Sequence, residues 1–223
     1  MPHVEHILRD SRALEQAIAD HRPEERRILR IGSYTSISRN WLPPVLKGFG
    51  AQFPDVQLTV KDGSCMDIEQ WLMEGTIDVG LLSNCFSAPL EFLPLLQDPY
   101  YAVLPPEERP GETFDISAFN GRTFFIPSKG VDTEVLRILE RSGVTPRFSL
   151  IATEDSAVIK MVEQGLGCSL LSELILRGNT DHVSLVPIDP PAFREVGAAV
   201  RSLKKVGPVL RSFLHYIRRD AEK

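Results

Sequence analysis

The sequence predicts an α/β protein of two lobes, each a Rossmann-like alternation of strands and helices, on three observations. From Ile28 onward, apolar runs of strand character alternate with segments of helical period. A second stretch repeats the plan of an earlier one: "FPDVQLTVKDGSCMDIEQWLMEGTIDVGLL" and "TPRFSLIATEDSAVIKMVEQGLGCSLL" share a proline, a strand, a short loop bearing Ser and Asp, a helix, a Glu-Gly or Gln-Gly stop and a strand. Prolines mark two places, residues 101–105 and 187–191, where the chain can cross between lobes on short hinges.

The elements follow in order. "HVEHILRDSRALEQAIAD" places Val4, Ile7, Leu14 and Ile18, with Ser11 between, at the three-four spacing of a coiled-coil seam. A helix so short is marginal alone in water and needs a partner. The charged, proline-bearing "HRPEERR" tethers it to the rest. Then come the strand "ILRIGS", the helix "NWLPPVLKGFGAQF" with Pro43 and Pro44 in its first turn, the strand "VQLTV", the helix "MDIEQWLMEG" and the strand "IDVGLL". "EFLPLLQDPYYAVLPP" reads as two further strands. The second lobe follows with "GRTFFIPS", "DTEVLRILERSG", "RFSLIA", "DSAVIKMVEQG" and "GCSLL"; a last strand, "EVGAAVRS", and helix, "PVLRSFLHYIRR", return the tail to the first lobe. The expected division is a linker helix and tether over 1–27, subdomain I over 28–104 plus 192–223, and subdomain II over 105–191.

A chain of 223 residues, 43% of them apolar, can fill a sizeable core. Its net charge of −5 opposes the phosphate attraction on which nucleic-acid affinity rests, so these residues alone make a poor DNA binder. No apolar run reaches the roughly eighteen residues of a membrane span, and the charged N-terminal segment is unlike a secretory signal, so a cytoplasmic protein without membrane contact is expected. Cys65, Cys85 and Cys168 are odd in number and form no CxxC or CxxH motif, which predicts reduced thiols and no zinc site. Cys65, expected at a helix start where thiolates are stabilised, keeps a redox role open, with Cys85 its plausible resolving partner.

No GxSxG, HExxH or GxxxxGK[ST] motif occurs, and the five histidines are scattered, so no catalytic residues, metal or cofactor are assigned and the chain is not expected to be an enzyme. The chemistry that is present lies in hydroxyl-rich turns between strands and helices, where open α/β sheets bind ligands. Candidate contacts are Ser33, Thr35 and Ser36 in the first turn, Ser64 and Cys65 in the second, Pro127, Ser128 and Lys129 in the third, and Glu154 and Ser156 in the fourth. Two lobes facing one another would gather these turns on one cleft. For each serine, helix capping is the alternative reading.

These residues carry a likeness. "LRIGSYTSISRNWLPPVLKGFGAQFPDVQLTVKDGSCMDIEQWLMEGTIDVGLL" resembles the opening of the effector-binding domain of LysR-type transcriptional regulators, and "SAVIKMVEQGLGCSLLSE" resembles its second-lobe signature, with Ser172 where a proline is often seen. The resemblance implies a type 2 periplasmic-binding-protein-like fold, a small-molecule effector, a carboxylate or aromatic acid by its hydroxyl and Lys129 contacts, and a homodimer, or a tetramer at full length, reaching DNA only through an N-terminal winged helix-turn-helix that does not precede this segment. It places Ser36 on the first-helix hydroxyl contact, Cys65 where Ser or Thr is usual, and Pro127 and Ser128 on the second-lobe contact loop. The redox-sensing branch keeps close-spaced cysteines in the second lobe, where this chain has Cys168 alone. A solute-binding protein and a two-lobed enzyme acting on a small organic acid are the alternatives.

Overall fold

The computed structural model describes residues 27–126, 133–149, 154–178, 180 and 182–221. The linker helix and tether expected over 1–27 lie outside them, but for Arg27, which opens the first strand. The first lobe is built on β1 (Arg27–Ser33), α1 (Thr35–Asn40), α2 (Leu42–Gln52), β2 (Val56–Asp62), α3 (Cys65–Glu74) and β3 (Val79–Ser83). β1 lies between β2 and β3 and is parallel to both. β3, "VGLLS", is buried along its whole length, which is why it reads as an unbroken apolar run rather than an alternation.

One helix was predicted from Asn40, and two are found. The hydroxyl-rich stretch is itself the short helix α1, and α2 restarts at Leu42 with proline in its first turn. Pro43 and Pro44 have no N–H to bond the carbonyls of the preceding turn, so α1 cannot run on into α2. α2 buries Leu42, Val45 and Phe49. Phe49 packs edge-on to Phe213, with ring centroids 5.2 Å apart, and so seats α7 (Pro208–Ala221) on the first lobe.

"EFLPLLQDPYYAVLPP", expected as two strands, forms one: β4 (Glu91–Leu104). It pairs antiparallel with β10 (Phe193–Val200) as far as Pro99, and with β8 (Ser169–Ser172) and β9 (Ser184–Asp189) from Tyr100 on. The prolines do not interrupt it because Pro94 sits beside the register shift at Val196/Gly197 and Pro99 sits where the partners change, places at which a ladder N–H is dispensable. β10 lies antiparallel between β3 and β4. The second lobe adds β5 (Phe114–Asp115), the parallel pair β6 (Thr123–Phe125) and β7 (Arg147–Ser149), and the helices α4 (Thr133–Arg141), α5 (Asp155–Glu163) and α6 (Glu173–Leu176). β5, α6 and β9 have no counterpart among the predicted elements.

Each lobe has apolar clusters of its own. Ile31, Phe49, Leu81 and Phe213 centre one on the first, and Phe119, Phe124, Leu139 and Leu170 centre one on the second. One residue breaks the division: Leu174, from α6, is buried in the first-lobe cluster.

β10 leaves no room for a side chain at Gly197, where an added Cβ would stand 2.3 Å from the Leu93 carbonyl oxygen and 2.5 Å from the Phe92 ring. Backbone cannot yield as a side chain can. Gly197→Ala is therefore expected to destabilise the chain by about 1–3 kcal/mol, read as a lower urea midpoint at unchanged m-value.

Candidate functional site

The first predicted turn forms at the carboxyl end of β1. Ser33 is buried and its hydroxyl donates to the Tyr34 carbonyl at 3.1 Å. Tyr34 is the N-cap residue of α1 and makes no side-chain capping bond, so neither Ser36 nor Ser38 caps this helix. Ser38 instead bonds Asp62, while Thr35 faces solvent. Ser36 is buried at 8% exposure, and its oxygen accepts from Arg194 Nη2 at 3.0 Å. That bond leaves the Ser36 O–H proton available to an acceptor.

Arg194 comes from β10, and 6% of it is exposed. Its Nε donates to Asp98 Oδ2 at 2.8 Å, and Asp98, on β4, is itself 2% exposed. The other Asp98 oxygen accepts the Leu174 backbone N–H at 2.9 Å, and Asn40 Nδ2 donates to the Leu174 carbonyl at 2.6 Å. Burial pulls the guanidinium toward losing its proton; the Asp98 carboxylate, with Tyr100 and Glu134 beyond it, outweighs this and holds Arg194 above its ordinary value. The Tyr34 ring lies 5.8 Å from the guanidinium carbon. This network stands where β4 changes partners and where α6 meets α1, so it joins the hydroxyl of the first turn to the junction of the lobes.

The second turn adjoins the first: Gly63 donates its N–H to the Ser33 carbonyl at 3.1 Å. Ser64 is the N-cap of α3, completing a capping box with Asp67 in which its oxygen accepts the Asp67 N–H and the Asp67 carboxylate accepts the Ser64 N–H at 2.9 Å. Cys65 is the first residue of α3 and is joined to Cys85 by a disulfide. The expectation of reduced, unpartnered thiols is thereby corrected for these two. A sequence separation of 20 suggests no pairing, but the loops after β2 and β3 emerge side by side because both strands flank β1. Cys168 is free and buried, as expected of it, with its thiol pushed up to about 11 by burial.

Of the remaining predicted contacts, Glu154 is the N-cap residue of α5 and Ser156 lies in its first turn, both exposed. Pro127, Ser128 and Lys129 lie outside the described residues. A cavity of about 210 Å³ opens beside Tyr101, Glu173, Leu176, Arg177, Thr180 and Leu185, and none of the predicted contact residues lines it. Among the described residues no group of three or more His, Cys, Asp or Glu could hold a metal, and no helix is long and apolar enough to cross a membrane.

Asp98, Arg194, Asn40 and Tyr34 escaped the sequence reading. The available signal was a lone acid in "LLQDPYY" and a lone base in "AFREVG", opposite charges in two segments expected to run at the junction of the lobes.

The family described as LysR substrate binding domain matches residues 22–222. The Bacillus subtilis protein YvbU, an uncharacterised HTH-type transcriptional regulator, is 25% identical over 95% of this chain and 74% of its own length. The regulatory domain of CcmR from Synechocystis PCC6803, solved with 2-PG, superposes with a TM-score of 0.80 at 21% identity, covering 88% of this chain and 98% of that one. The effector binding domain of BenM with its effector benzoate gives 0.77 at 20% identity, over 88% and 92%.

Removing one member of a buried ion pair leaves the other charge stranded, at a cost of about 3–5 kcal/mol, whereas replacing both by apolar residues of similar volume is far milder. Arg194→Met is therefore expected to lower the stability of the chain by that amount, and Arg194→Met with Asp98→Leu to recover much of it. Urea unfolding of the two variants beside the parent sequence measures the difference.

Proposed function

The chain belongs to the LysR substrate binding domain family, and on that premise we propose that it senses a small carboxylate or aromatic acid held between its lobes at Ser36. The observation that carries this is the buried Arg194 gripping the Ser36 hydroxyl where the lobes join. The chemistry suits an anion: the Ser36 O–H can donate, and the guanidinium bonded to its oxygen keeps that donor aimed. The similar CcmR and BenM domains carry small molecules, 2-PG and benzoate, which supports a ligand of that size and class for this fold. The second lobe's share of the contact falls to Pro127, Ser128, Lys129, Glu154 and Ser156.

Sensing follows from differential affinity. A ligand that bonds Ser36 in one lobe arrangement better than in another shifts the population toward it. Pairing of two copies through the outer face of α2 and a helix of the partner's second lobe passes the shift, worth about 1–3 kcal/mol, to DNA-binding domains of the full regulator in the cytoplasm. The two bodies that move are subdomain I, residues 28–104 plus 192–223, and subdomain II, residues 105–191, with the end of β4 from Tyr100 on going with the second-lobe strands it pairs with.

A thermal-shift screen with benzoate and 2-PG, run in dithiothreitol, tests the site. A ligand present at a hundred times its Kd stabilises the chain by about 2.7 kcal/mol. Ser36→Ala is expected to weaken that ligand about tenfold or more, the loss of one hydrogen bond to a charged group. Binding left unchanged by Ser36→Ala places the ligand elsewhere and rejects the assignment.

A further inference from the structure

The loops after β2 and β3 bring together a pair of sulfurs for which the effector contact proposed at Ser36 has no use. Cys65 and Cys85 are disulfide-bonded with Cα atoms 6.6 Å apart, and both residues are only half-buried. Cys168, the one other cysteine, is fully buried in the second lobe. The Cys65–Cys85 pair also meets the effector site. The Tyr34 hydroxyl lies 2.9 Å from Cys85 Sγ, Tyr34 is the N-cap residue of α1, and its ring stands beside the Arg194 that holds Ser36.

We propose that Cys65 and Cys85 form a reversible thiol–disulfide site, oxidised by hydroperoxides and reduced by small thiols, which gives this domain an oxidative input beside its effector input. Three features support it. Cys65 occupies the first position of a ten-residue helix, where the N-terminal dipole favours the thiolate that reacts with peroxides. Its resolving thiol is already within bonding reach, on a loop that half-exposure leaves open to small reagents. In a compartment whose thiols are kept reduced, a disulfide is as a rule transient and sensory rather than structural; this third point rests on the function proposed above, and the first two do not.

The chemistry balances. The Cys65 thiolate attacks one peroxide oxygen, forming an S–O bond as the O–O bond breaks; the sulfur loses two electrons, and the leaving alkoxide takes a proton and departs as an alcohol, or as water from hydrogen peroxide. The Cys85 thiol then attacks the Cys65 sulfur, forming the S–S bond as the S–O bond breaks, and its proton leaves with hydroxide as water. Two thiols and one hydroperoxide give one disulfide, one alcohol and one water. Two equivalents of glutathione reverse the result and leave as glutathione disulfide. The two states differ at Tyr34, because a Cys85 thiol can donate to the Tyr34 hydroxyl as well as accept from it, whereas a disulfide sulfur can only accept.

The full chain, reduced with dithiothreitol and desalted, is treated with one equivalent of hydrogen peroxide, then denatured, alkylated and peptide-mapped. The expected result is loss of two of the three thiols as a Cys65–Cys85 cross-linked peptide, with Cys168 alkylated. Excess reduced glutathione restores both thiols in the native chain, and Cys85→Ser yields a dimedone adduct on Cys65. A disulfide that survives excess glutathione in the native chain is a fixed cross-link and overturns the proposal. Three thiols still alkylatable after excess peroxide overturn it equally. Thiol counting needs no effector, and the effector screen is run in dithiothreitol, so either idea can fail without the other.

Discussion

The buried pair of Arg194 and Asp98 is the constraint on which the arrangement of this molecule turns. Two full charges at 6% and 2% exposure are tolerable only when each is bonded in good geometry, because an uncompensated ion in that setting costs several kcal/mol. Every group recruited to meet the requirement belongs to a different element: Arg194 to β10, Asp98 to β4, Ser36 to α1, and the Leu174 amide to α6. The need to keep one guanidinium and one carboxylate satisfied therefore locks the register of the two strands at the junction, the seat of α1 against them and the position of the helix that reaches over from the second lobe.

That junction is narrow for the size of the domains it joins. β4 is a single strand whose first part belongs to one sheet and whose last residues belong to another, and the Tyr100 N–H bonds the Ala192 carbonyl where the chain returns. The apolar clusters divide between the lobes, Leu174 excepted. A change in lobe angle would thus expose little core; its cost lies in moving Leu174 and in breaking polar bonds at the pair. Ser172, paired with Tyr100 on the same strands, adds a buried hydroxyl without a hydrogen-bond partner among the described residues.

Much of the fold was legible in the sequence because its signals are local. The apolar run of β3, Ser64 before α3, the prolines opening α2 and the glycine ending α3 at a positive φ of 74° each declare themselves within a few residues. The parts that were not legible depend on partners far along the chain. Nothing near Asp98 announces Arg194, 96 residues later, and nothing in the spacing of Cys65 and Cys85 announces that β2 and β3 flank one strand. β4 was divided in two because a proline argues against a strand unless the missing N–H falls at a bulge or a change of partners, and both exceptions occur here. The serines of α1 read as a loop because hydroxyls compete for backbone bonds; in the structure Arg194 and Asp62 occupy them instead. The first and second turns adjoin at Gly63 and Ser33 because β1 and β2 are neighbours in the sheet.

Magnitudes decide what kind of signal such a site can send. A hydrogen bond with one charged partner is worth about 1.5–3 kcal/mol, and typical couplings between linked sites span about 1–3 kcal/mol. On the reading proposed above, a bond donated by the Ser36 hydroxyl to an acid in one lobe arrangement and not in the other would cover that range, at about tenfold in population for every 1.4 kcal/mol, with the Arg194 bond and the apolar clusters left intact. The ion pair to Asp98 is the wrong element to break for this purpose, since stranding a buried charge would cost more than a small ligand returns. A bond donated by Ser36 to an acid would leave every charge in the network partnered: Arg194 keeps Asp98 and Ser36, and Asp98 keeps Leu174.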